Sequence, residues 1–253
     1  MKQEFQFCIP SYKRADRQKT LDLLERLSIP KEWITLSVQT MQDLQDYKRA
    51  GVGKRVNQIL YREGENVSDN MNTLLDAFPK GERIVILEDD IKDILRLSIS
   101  PDGKHRKLIP VTDGEQFLKI CRNGFATAKL NGTVAFGLNL FSNAMFMRKG
   151  YHKRKLCDTA FYGMVNSDLR FDRNLSLFQD TDMCLRIIKR YGAFISIEGY
   201  CAKHERQVEG GCYSFWTKKN MDDMAEIIRK KHGELVDIDM SRINLITLKR
   251  SRK

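Results

Sequence analysis

The chain has 253 residues, of which 42% are hydrophobic and 30% are charged. This composition excludes an intrinsically disordered chain, a collagen and a coiled coil. No segment approaches the run of about 18 apolar residues that a membrane helix needs, and the opening MKQEFQF lacks the apolar core of a signal peptide. We therefore expect a cytoplasmic protein that does not enter a membrane.

The charge of the chain is positive and unevenly distributed, with a formal net charge of +11. Residues 1–126 carry 21 basic and 19 acidic side chains, a net charge of +2, whereas residues 127–253 carry 23 and 14, a net charge of +9. A solvated basic surface is one explanation. The asymmetry favours a polyanionic partner, and nucleic acid is the leading candidate.

Strand-like and helix-like patterns alternate along residues 1–90. Strands are predicted at 5–9, 34–39, 56–61 and 83–87. A first helix is predicted around residues 21–27, with Asp16 as its N-cap, and a second over residues 67–78. Strands joined by helices imply crossover connections and a mostly parallel sheet, in which ligands bind at the carboxyl ends of strands.

The second half is less regular. The patterns predict helices at 113–130, 180–192 and about 221–228, strands at 134–139, 144–148 and 193–200, and a final apolar run at 243–248. No repeat or low-complexity linker divides the chain. We expect a single α/β domain with a Rossmann-type, mostly parallel central sheet flanked by helices.

The most informative motif is the acidic triplet Glu88-Asp89-Asp90, which follows the fourth predicted strand. Three adjacent carboxylates repel one another, so we expect a cation beside them. Hard divalent ions such as Mg²⁺ and Mn²⁺ bind carboxylate oxygens and share their other positions with phosphate oxygens and water. A merely polar strand end is the alternative, but the carboxyl edge of a sheet favours a site.

A second acidic pair, Asp180 and Asp182, opens a predicted helix. Either carboxylate could cap the helix, and either could act as a general base towards a hydroxyl group. Asp180 precedes the apolar stripe and is the favoured base. Among the histidines, His204 follows a predicted strand. A plain surface histidine is the favoured interpretation, and a ligand for Mn²⁺, which suits an imidazole better than Mg²⁺ does, is the alternative. The remaining histidines are assigned to basic loops.

Two further segments suggest ligand binding. Ser11, Tyr12, Lys13 and Arg14 follow the first strand, where a ring and a guanidinium could stack on and pair with a nucleotide. The GVGK segment at 51–54 lacks the rest of a phosphate loop and is discounted. The stretch RKGYHKRK provides five cations around an aromatic ring and a histidine, a pattern that fits contacts with a phosphate backbone and a solvated basic loop equally well. These candidate DNA contacts are Arg148, Lys149, Lys153, Arg154 and Lys155.

Five motifs occur in a fixed order: IPSYKR, VSDNMN, ILEDD, FQDTD and KHE. Together they resemble a GT-A glycosyltransferase. More narrowly, the chain from about residue 5 to 215 resembles the TET/JBP-associated glycosyltransferases, which are encoded largely by bacteriophages and thought to glycosylate hydroxymethylated pyrimidines in DNA. The resemblance implies a GT-A-like domain over 1–253, with a nucleotide-sugar-binding half at 1–90 and an acceptor-binding half at 91–253.

The resemblance also implies roles for individual residues. Asp90 and His204 would bind Mn²⁺ or Mg²⁺, and Asp180 would be the catalytic base, although Gln179 stands where many relatives have an acid. The nucleotide sugar would contact the following residues: Pro10, Ser11, Tyr12, Arg14, Glu88 and Asp89.

The function implied is transfer of a sugar from a nucleoside diphosphate sugar, expected to be a UDP-sugar, to the hydroxyl of a base such as 5-hydroxymethylcytosine in DNA. A protein, lipid or glycan acceptor is an alternative for the same fold. Metal-dependent nucleotidyl transfer or nuclease chemistry, and a non-catalytic nucleic-acid binder, are alternatives of other classes. The donor sugar, the stereochemical outcome and the oligomeric state stay open.

Overall fold

A computed structural model describes residues 3–157, 160–204, 215–239 and 246–249 of the chain. The first part of the chain forms four strands and three helices: β1 (Gln6–Pro10), α1 (Lys19–Arg26), β2 (Ile34–Val38), α2 (Met41–Arg49), β3 (Gln58–Tyr61), α3 (Val67–Asp76) and β4 (Arg83–Leu87). The strands are parallel in the order β3-β2-β1-β4. None of the described helices combines the length and the hydropathy that a membrane span requires.

The first half confirms the predicted alternation, with two differences. Helix α1 begins at Lys19 with Gln18 as its N-cap, so the prediction of Asp16 as the cap was wrong. Helix α2 was not predicted, because its side chains are mostly polar and only Asp43 and Tyr47 are buried. Its N-cap is Thr40, whose hydroxyl accepts a hydrogen bond from the Asp43 amide at 2.9 Å.

The remaining elements are β5 (Ile91–Ile99), β6 (Arg106–Pro110), α4 (Gly114–Leu130), β7 (Ala135–Leu138), β8 (Tyr151–His152), β9 (Phe161–Val165), α5 (Gln179–Tyr191), β10 (Ile195–Ile197), β11 (Tyr200–His204), α6 (Lys218–His232), β12 (Val236–Ile238) and β13 (Ile246–Leu248). Within the described residues, the central sheet continues from β4 through β9, β7, β10 and β8. Strand β9 is antiparallel to both neighbours, and β7 and β10 are parallel to each other. The sheet is thus mostly parallel, as predicted, with antiparallel pairs in its second half.

Two predictions for the second half were wrong. The expected strand at 144–148 is a turn, and Met145 and Phe146 in this turn are exposed. The expected strand at 193–200 is divided by a turn at Glu198, so that β10 joins the central sheet and β11 joins a smaller one. Strands β5, β6, β8, β9 and β12 were not predicted. An apolar run shows that a segment is buried but does not show which sheet it joins.

The smaller antiparallel sheet, in the order β11-β5-β6, determines the position of the candidate site. Strand β5 begins immediately after the acidic triplet, and β11 runs back along it. In this register His204, the last residue of β11, lies opposite Ile91, the residue that follows the triplet. A histidine more than 110 positions away in the chain is therefore brought to the end of β4.

An aromatic cluster packs α4 against one face of the central sheet. The ring of Phe136 on β7 contacts Phe125 of α4, with ring centroids 5.1 Å apart, and Phe161 of β9 at 6.2 Å. Gly124 of α4 and Gly163 of β9 lie so close to opposite edges of this ring that a Cβ at either position would overlap it. At these two glycines the core has no room for a methyl group.

Replacement of Gly163 by Ala tests this packing. Because the added methyl would displace the Phe136 ring, we expect Gly163→Ala to lower the free energy of unfolding by about 1–3 kcal/mol in urea titrations. Gly53→Ala is the control, since its Cβ would meet only the Ile59 side chain at 3.9 Å. Equal stability of the two variants would show that the ring is not confined between α4 and β9.

Candidate active site

The backbone of the acidic triplet is held by the first turn of α1. The Thr20 hydroxyl donates to the carbonyl of Glu88 and accepts from the amide of Ile91 at 3.0 Å. The Thr20 amide donates to the carbonyl of Asp89 at 3.2 Å. These hydrogen bonds hold the backbone that follows β4 in one conformation, so the backbone of all three acidic residues has a fixed position relative to the sheet.

The middle carboxylate, Asp89, is directed into the protein and is only 4% exposed. Its Oδ1 accepts from the Arg14 guanidinium, and its Oδ2 accepts from the Ser11 hydroxyl at 2.5 Å. Burial raises the pKa of the Asp89 carboxyl, and Arg14 and Ser11 oppose this rise. Asp89 thus anchors the loop that follows β1, and Arg14 also reaches Asp90 at 3.2 Å.

Tyr47 of α2 completes this anchor. Its hydroxyl lies 2.6 Å from the Ser11 Oγ and accepts from the Arg14 amide at 3.1 Å. Burial, followed by the charge of Asp89, raises the pKa of Tyr47 well above its usual range, so the phenol stays neutral. Gln18 donates to the Ser11 Oγ at 3.1 Å. The loop after β1 is consequently fixed by buried polar contacts.

The outer two carboxylates lie with His204 in one cluster. One ligand atom from each of Glu88, Asp90 and His204 lies within 4.8 Å of the others. The His204 Nδ1 is 3.1 Å from Asp90 Oδ1 and 3.4 Å from Glu88 Oε2. Burial tends to raise the pKa of Asp90, but His204 and Arg14 outweigh it and the net shift is downward.

This set of donors fits a divalent cation. Carboxylate oxygens suit Mg²⁺ and Mn²⁺, and an imidazole nitrogen favours Mn²⁺ of the two. All three side chains are partly exposed, so the cluster is open to a ligand from solvent. A polar cavity of about 80 Å³ adjoins His204 and is lined in part by Asn139 and Ser142. It gives the cluster a recess next to His204.

The predicted nucleotide residues of the first loop divide into two groups. Pro10, Ser11 and Arg14 are buried, and they form the base of the loop. Tyr12 is partly exposed, with the Lys13 ammonium 5.0 Å from its ring centroid. Lys13 has a positive φ of 53°, an uncommon conformation for a lysine, and its amide donates to Asp43 at 3.1 Å. Tyr12 is the side chain of this loop that offers an accessible ring.

The structure distinguishes the two aspartates at the start of α5. Asp182 is fully buried and accepts from Arg186 at 2.8 Å, from His232 at 2.8 Å and from Lys231 at 2.5 Å. It therefore connects α5 to α6 and cannot meet a substrate. Asp180 is partly exposed, and its Oδ1 accepts from the Thr181 amide at 2.7 Å. Phe178, just before the helix, has a positive φ of 60°.

The assignment of His232 to a basic loop was wrong. It lies on α6, is 2% exposed, and binds the Asp182 carboxylate. The surrounding Lys and Arg residues suggested a surface loop, but the helical period places the imidazole on the buried side of α6. His105 lies in an exposed loop, as expected, whereas His152 is exposed but belongs to strand β8, so its assignment to a loop was wrong.

The contacts of Asp182 predict a dependence of stability on pH. Its folded pKa is lowered from 3.8 to about 2, because burial, which alone would raise it, is outweighed by the hydrogen bonds of His232 and Lys231 and by the charges of Arg186 and Lys231. The stabilisation, about 2 kcal/mol, is complete above pH 3.8 and is lost as the pH falls towards 2.

We expect Asp182→Asn to be less stable than the parent at neutral pH, and the difference to shrink between pH 4 and pH 2. Urea unfolding at each pH measures it, with Asp16→Asn at an exposed aspartate as the control. A difference that is constant with pH would contradict the ion-pair assignment.

Most of the cationic side chains in the predicted basic segment, residues 148–155, are exposed to solvent. Arg148, Lys149, Lys153 and Arg154 are exposed. Lys155 is partly buried, with its Nζ 2.8 Å from both carboxylate oxygens of the buried Glu198 and 3.4 Å from Asn139. Lys155 therefore neutralises an internal carboxylate, and the first four residues carry the accessible charge.

No protein-family model and no curated protein matches the sequence. Among solved structures, the mannosyltransferase PcManGT from Pyrobaculum calidifontis, in complex with GDP-Man and Mn²⁺, matches with a TM-score of 0.54 and 12% identity, over 89% of this chain and 64% of that chain. TarS of S. aureus matches with a TM-score of 0.50 and 14% identity, over 90% of this chain and 40% of that chain. The chain has a GT-A-type fold. It spans less than two thirds of either neighbour.

The GT-A-type fold places the acidic triplet at the same sheet edge as the loop after β1. Sequence reasoning singled out Ser11, Arg14 and the triplet at this edge but missed Tyr47 and Thr20. Neither residue lies in a motif, and only the packing of α1 and α2 reveals their contacts. The KHE motif extends beyond His204 to Glu205, which belongs to residues 205–214, outside the described residues.

Proposed function

We propose that the chain is a metal-dependent glycosyltransferase that uses a nucleoside diphosphate sugar as donor. The observation that carries the proposal is the cluster of Glu88, Asp90 and His204 at the carboxyl end of β4, beside the buried Arg14–Asp89 pair. The cluster would bind Mn²⁺ or Mg²⁺. A neighbour of the same fold, PcManGT, was solved with GDP-Man and Mn²⁺, which supports this class of ligand.

The donor lies across the loop after β1 in this proposal. Tyr12 stacks on the nucleobase, and Arg14, fixed by Asp89, adds positive charge near the diphosphate. Pro10 and Ser11 shape the base of the pocket, and Glu88 lies at its rim. We propose UDP as the nucleoside diphosphate.

Asp180 is the proposed base. As the acceptor oxygen forms its bond to the anomeric carbon, the Asp180 carboxylate takes the hydroxyl proton, and the bond from that carbon to the diphosphate breaks. The bound dication would stabilise the negative charge that develops on the departing diphosphate. Arg14 holds its charge in place before the reaction begins, since its buried partners fix it.

Replacement of Asp90 tests the metal cluster. Asp90→Asn keeps the size of the side chain but weakens a ligand, so we expect Mn²⁺-dependent sugar transfer to fall by about 100-fold or more. Mass analysis of products after incubation with a panel of nucleotide sugars measures transfer, and circular dichroism checks the fold. Asp46→Asn, at a partly exposed helix position, is the matched control. Full activity of Asp90→Asn would exclude the metal site.

Replacement of Asp180 tests the base. We expect Asp180→Asn to lower the rate of transfer by about 10²- to 10⁴-fold, because the amide cannot accept the proton. Binding of UDP with Mn²⁺, measured by calorimetry, should be unchanged, since Asp180 is not part of the cluster. A loss of UDP binding with an unchanged transfer rate at saturation would assign Asp180 to the donor pocket instead.

DNA that carries a hydroxymethylated base is the proposed acceptor. The exposed cations at 148–154 and the net charge of +9 on residues 127–253 support a polyanion on the acceptor side. A hydroxymethyl group on a pyrimidine projects into the major groove, and a flipped base would present it equally well. In this arrangement residues 1–90 hold the donor and residues 91–253 hold the acceptor. A glycan or protein acceptor is compatible with the same donor site.

Incubation with Mn²⁺, nucleotide sugars and three acceptors distinguishes these functions. We expect 5-hydroxymethylcytosine DNA to gain the mass of one sugar per modified base, while unmodified DNA stays unchanged. Strand cleavage or addition of a nucleotide would indicate nuclease or nucleotidyl transfer chemistry. Transfer to an oligosaccharide alone would retain the glycosyltransferase and reject the DNA acceptor.

A further inference from the structure

A large cavity lies apart from the metal cluster, where the small sheet meets α4 and the basic loop. Its volume is about 580 Å³, which is in the range of sites for ligands of nucleotide size. Its walls include Arg96 of β5, Tyr200 of β11, four residues of α4 and the chain from Lys149 to Tyr151. The cavity therefore opens beside the exposed cations of the basic loop.

The charge of this cavity is uniformly positive. Arg96 and Lys149 line it, and none of its lining residues is acidic. Within the described residues neither cation forms an ion pair with a carboxylate. The nearby buried carboxylate, Glu198, is already neutralised by Lys155 at 2.8 Å. Two uncompensated cations beside a cavity favour an anionic ligand.

The other lining side chains suit a nucleobase. Two aromatic rings, Tyr151 and Tyr200, are part of the walls, and Tyr151 is 43% exposed. Helix α4 contributes Gln116, Asn123 and Thr127, whose amides and hydroxyl can donate and accept hydrogen bonds. Aromatic rings next to cations are the combination that binds single-stranded nucleic acid, by stacking on bases and pairing with phosphates.

The geometry of β11 relates this cavity to the active site. Tyr200 is the first residue of the strand and His204 is the last, so the two lie about 13 Å apart along an extended strand. This separation is too large for one nucleotide to fill both places. A strand whose reacting base lies at the metal cluster would reach the cavity with a neighbouring nucleotide.

We propose that the cavity binds one nucleotide of the acceptor strand, at a distance from the base that receives the sugar. The proposal rests on the proposed function with a nucleic-acid acceptor. Tyr151 or Tyr200 stacks on the base, and Arg96 and Lys149 contact the flanking phosphates. These contacts do not depend on the base sequence, because phosphate contacts and stacking are sequence-tolerant. They fix the position of the acceptor strand relative to the active site.

Binding of a fluorescent single-stranded oligonucleotide, measured by anisotropy over a series of salt concentrations, tests the cavity. We expect Arg96→Gln with Lys149→Gln to weaken binding about tenfold and to reduce the slope of log K against log salt by about 1.4, the value for two lost phosphate contacts. Lys31→Gln with Lys54→Gln removes the same charge from exposed positions outside the cavity and should leave the slope nearly unchanged.

A second variant separates stacking from charge. Tyr151→Leu should weaken binding at least about fivefold while leaving the salt slope unchanged, because the ring contributes no charge. If both cavity variants bind the oligonucleotide as the parent does, the cavity is not a nucleotide site. Binding of an anionic polysaccharide such as heparin in the cavity, with no oligonucleotide binding, would also overturn the proposal.

Calorimetry with UDP and Mn²⁺ on the same variants keeps the two proposals separate. The cavity residues are not in the metal cluster, so donor binding should match that of the parent. If the parent protein itself does not bind UDP with Mn²⁺, the proposed function is rejected. Intact donor binding, with oligonucleotide binding insensitive to every cavity variant, would reject only this inference.

Discussion

The structure depends on how three adjacent carboxylates are accommodated at the end of one buried strand. Their mutual repulsion is reduced from two sides. Arg14, inserted from the loop after β1, pairs with Asp89 and reaches Asp90, while His204 comes from β11 and lies 3.1 Å from Asp90. Glu88 and Asp90 are left on the open side. The arrangement that reduces the repulsion among the three carboxylates also provides a set of oxygen and nitrogen ligands for a dication.

The surrounding fold fixes these groups before any ligand arrives. The Thr20 side chain holds the triplet backbone, and the Tyr47 hydroxyl holds both Ser11 and the Arg14 amide. These buried hydrogen bonds limit how far the charges can move. Preorganisation of this kind matters for a reaction in which charge develops on a leaving diphosphate, since the protein then reorganises little during the step.

The sequence predicted the parts of the molecule that local pattern controls. Alternation of strand and helix signals correctly predicted β1 to β4. The position of the triplet after the fourth strand indicated a candidate ligand site. Contacts between residues far apart in the sequence could not be predicted. The sequence could not show that β11 pairs with β5, that Asp182 binds His232 rather than a substrate, or that Lys155 neutralises Glu198. In each case only the packing of distant elements brings the two partners together.

The most direct test of the central claim is a crystal structure of the protein grown with Mn²⁺ and UDP, with anomalous data collected at the manganese edge. The account predicts one anomalous peak within bonding distance of Asp90 and His204, with the diphosphate of UDP beside it and the uracil near Tyr12. An empty cluster, with manganese and UDP bound elsewhere, would contradict the assignment of this sheet edge as the active site.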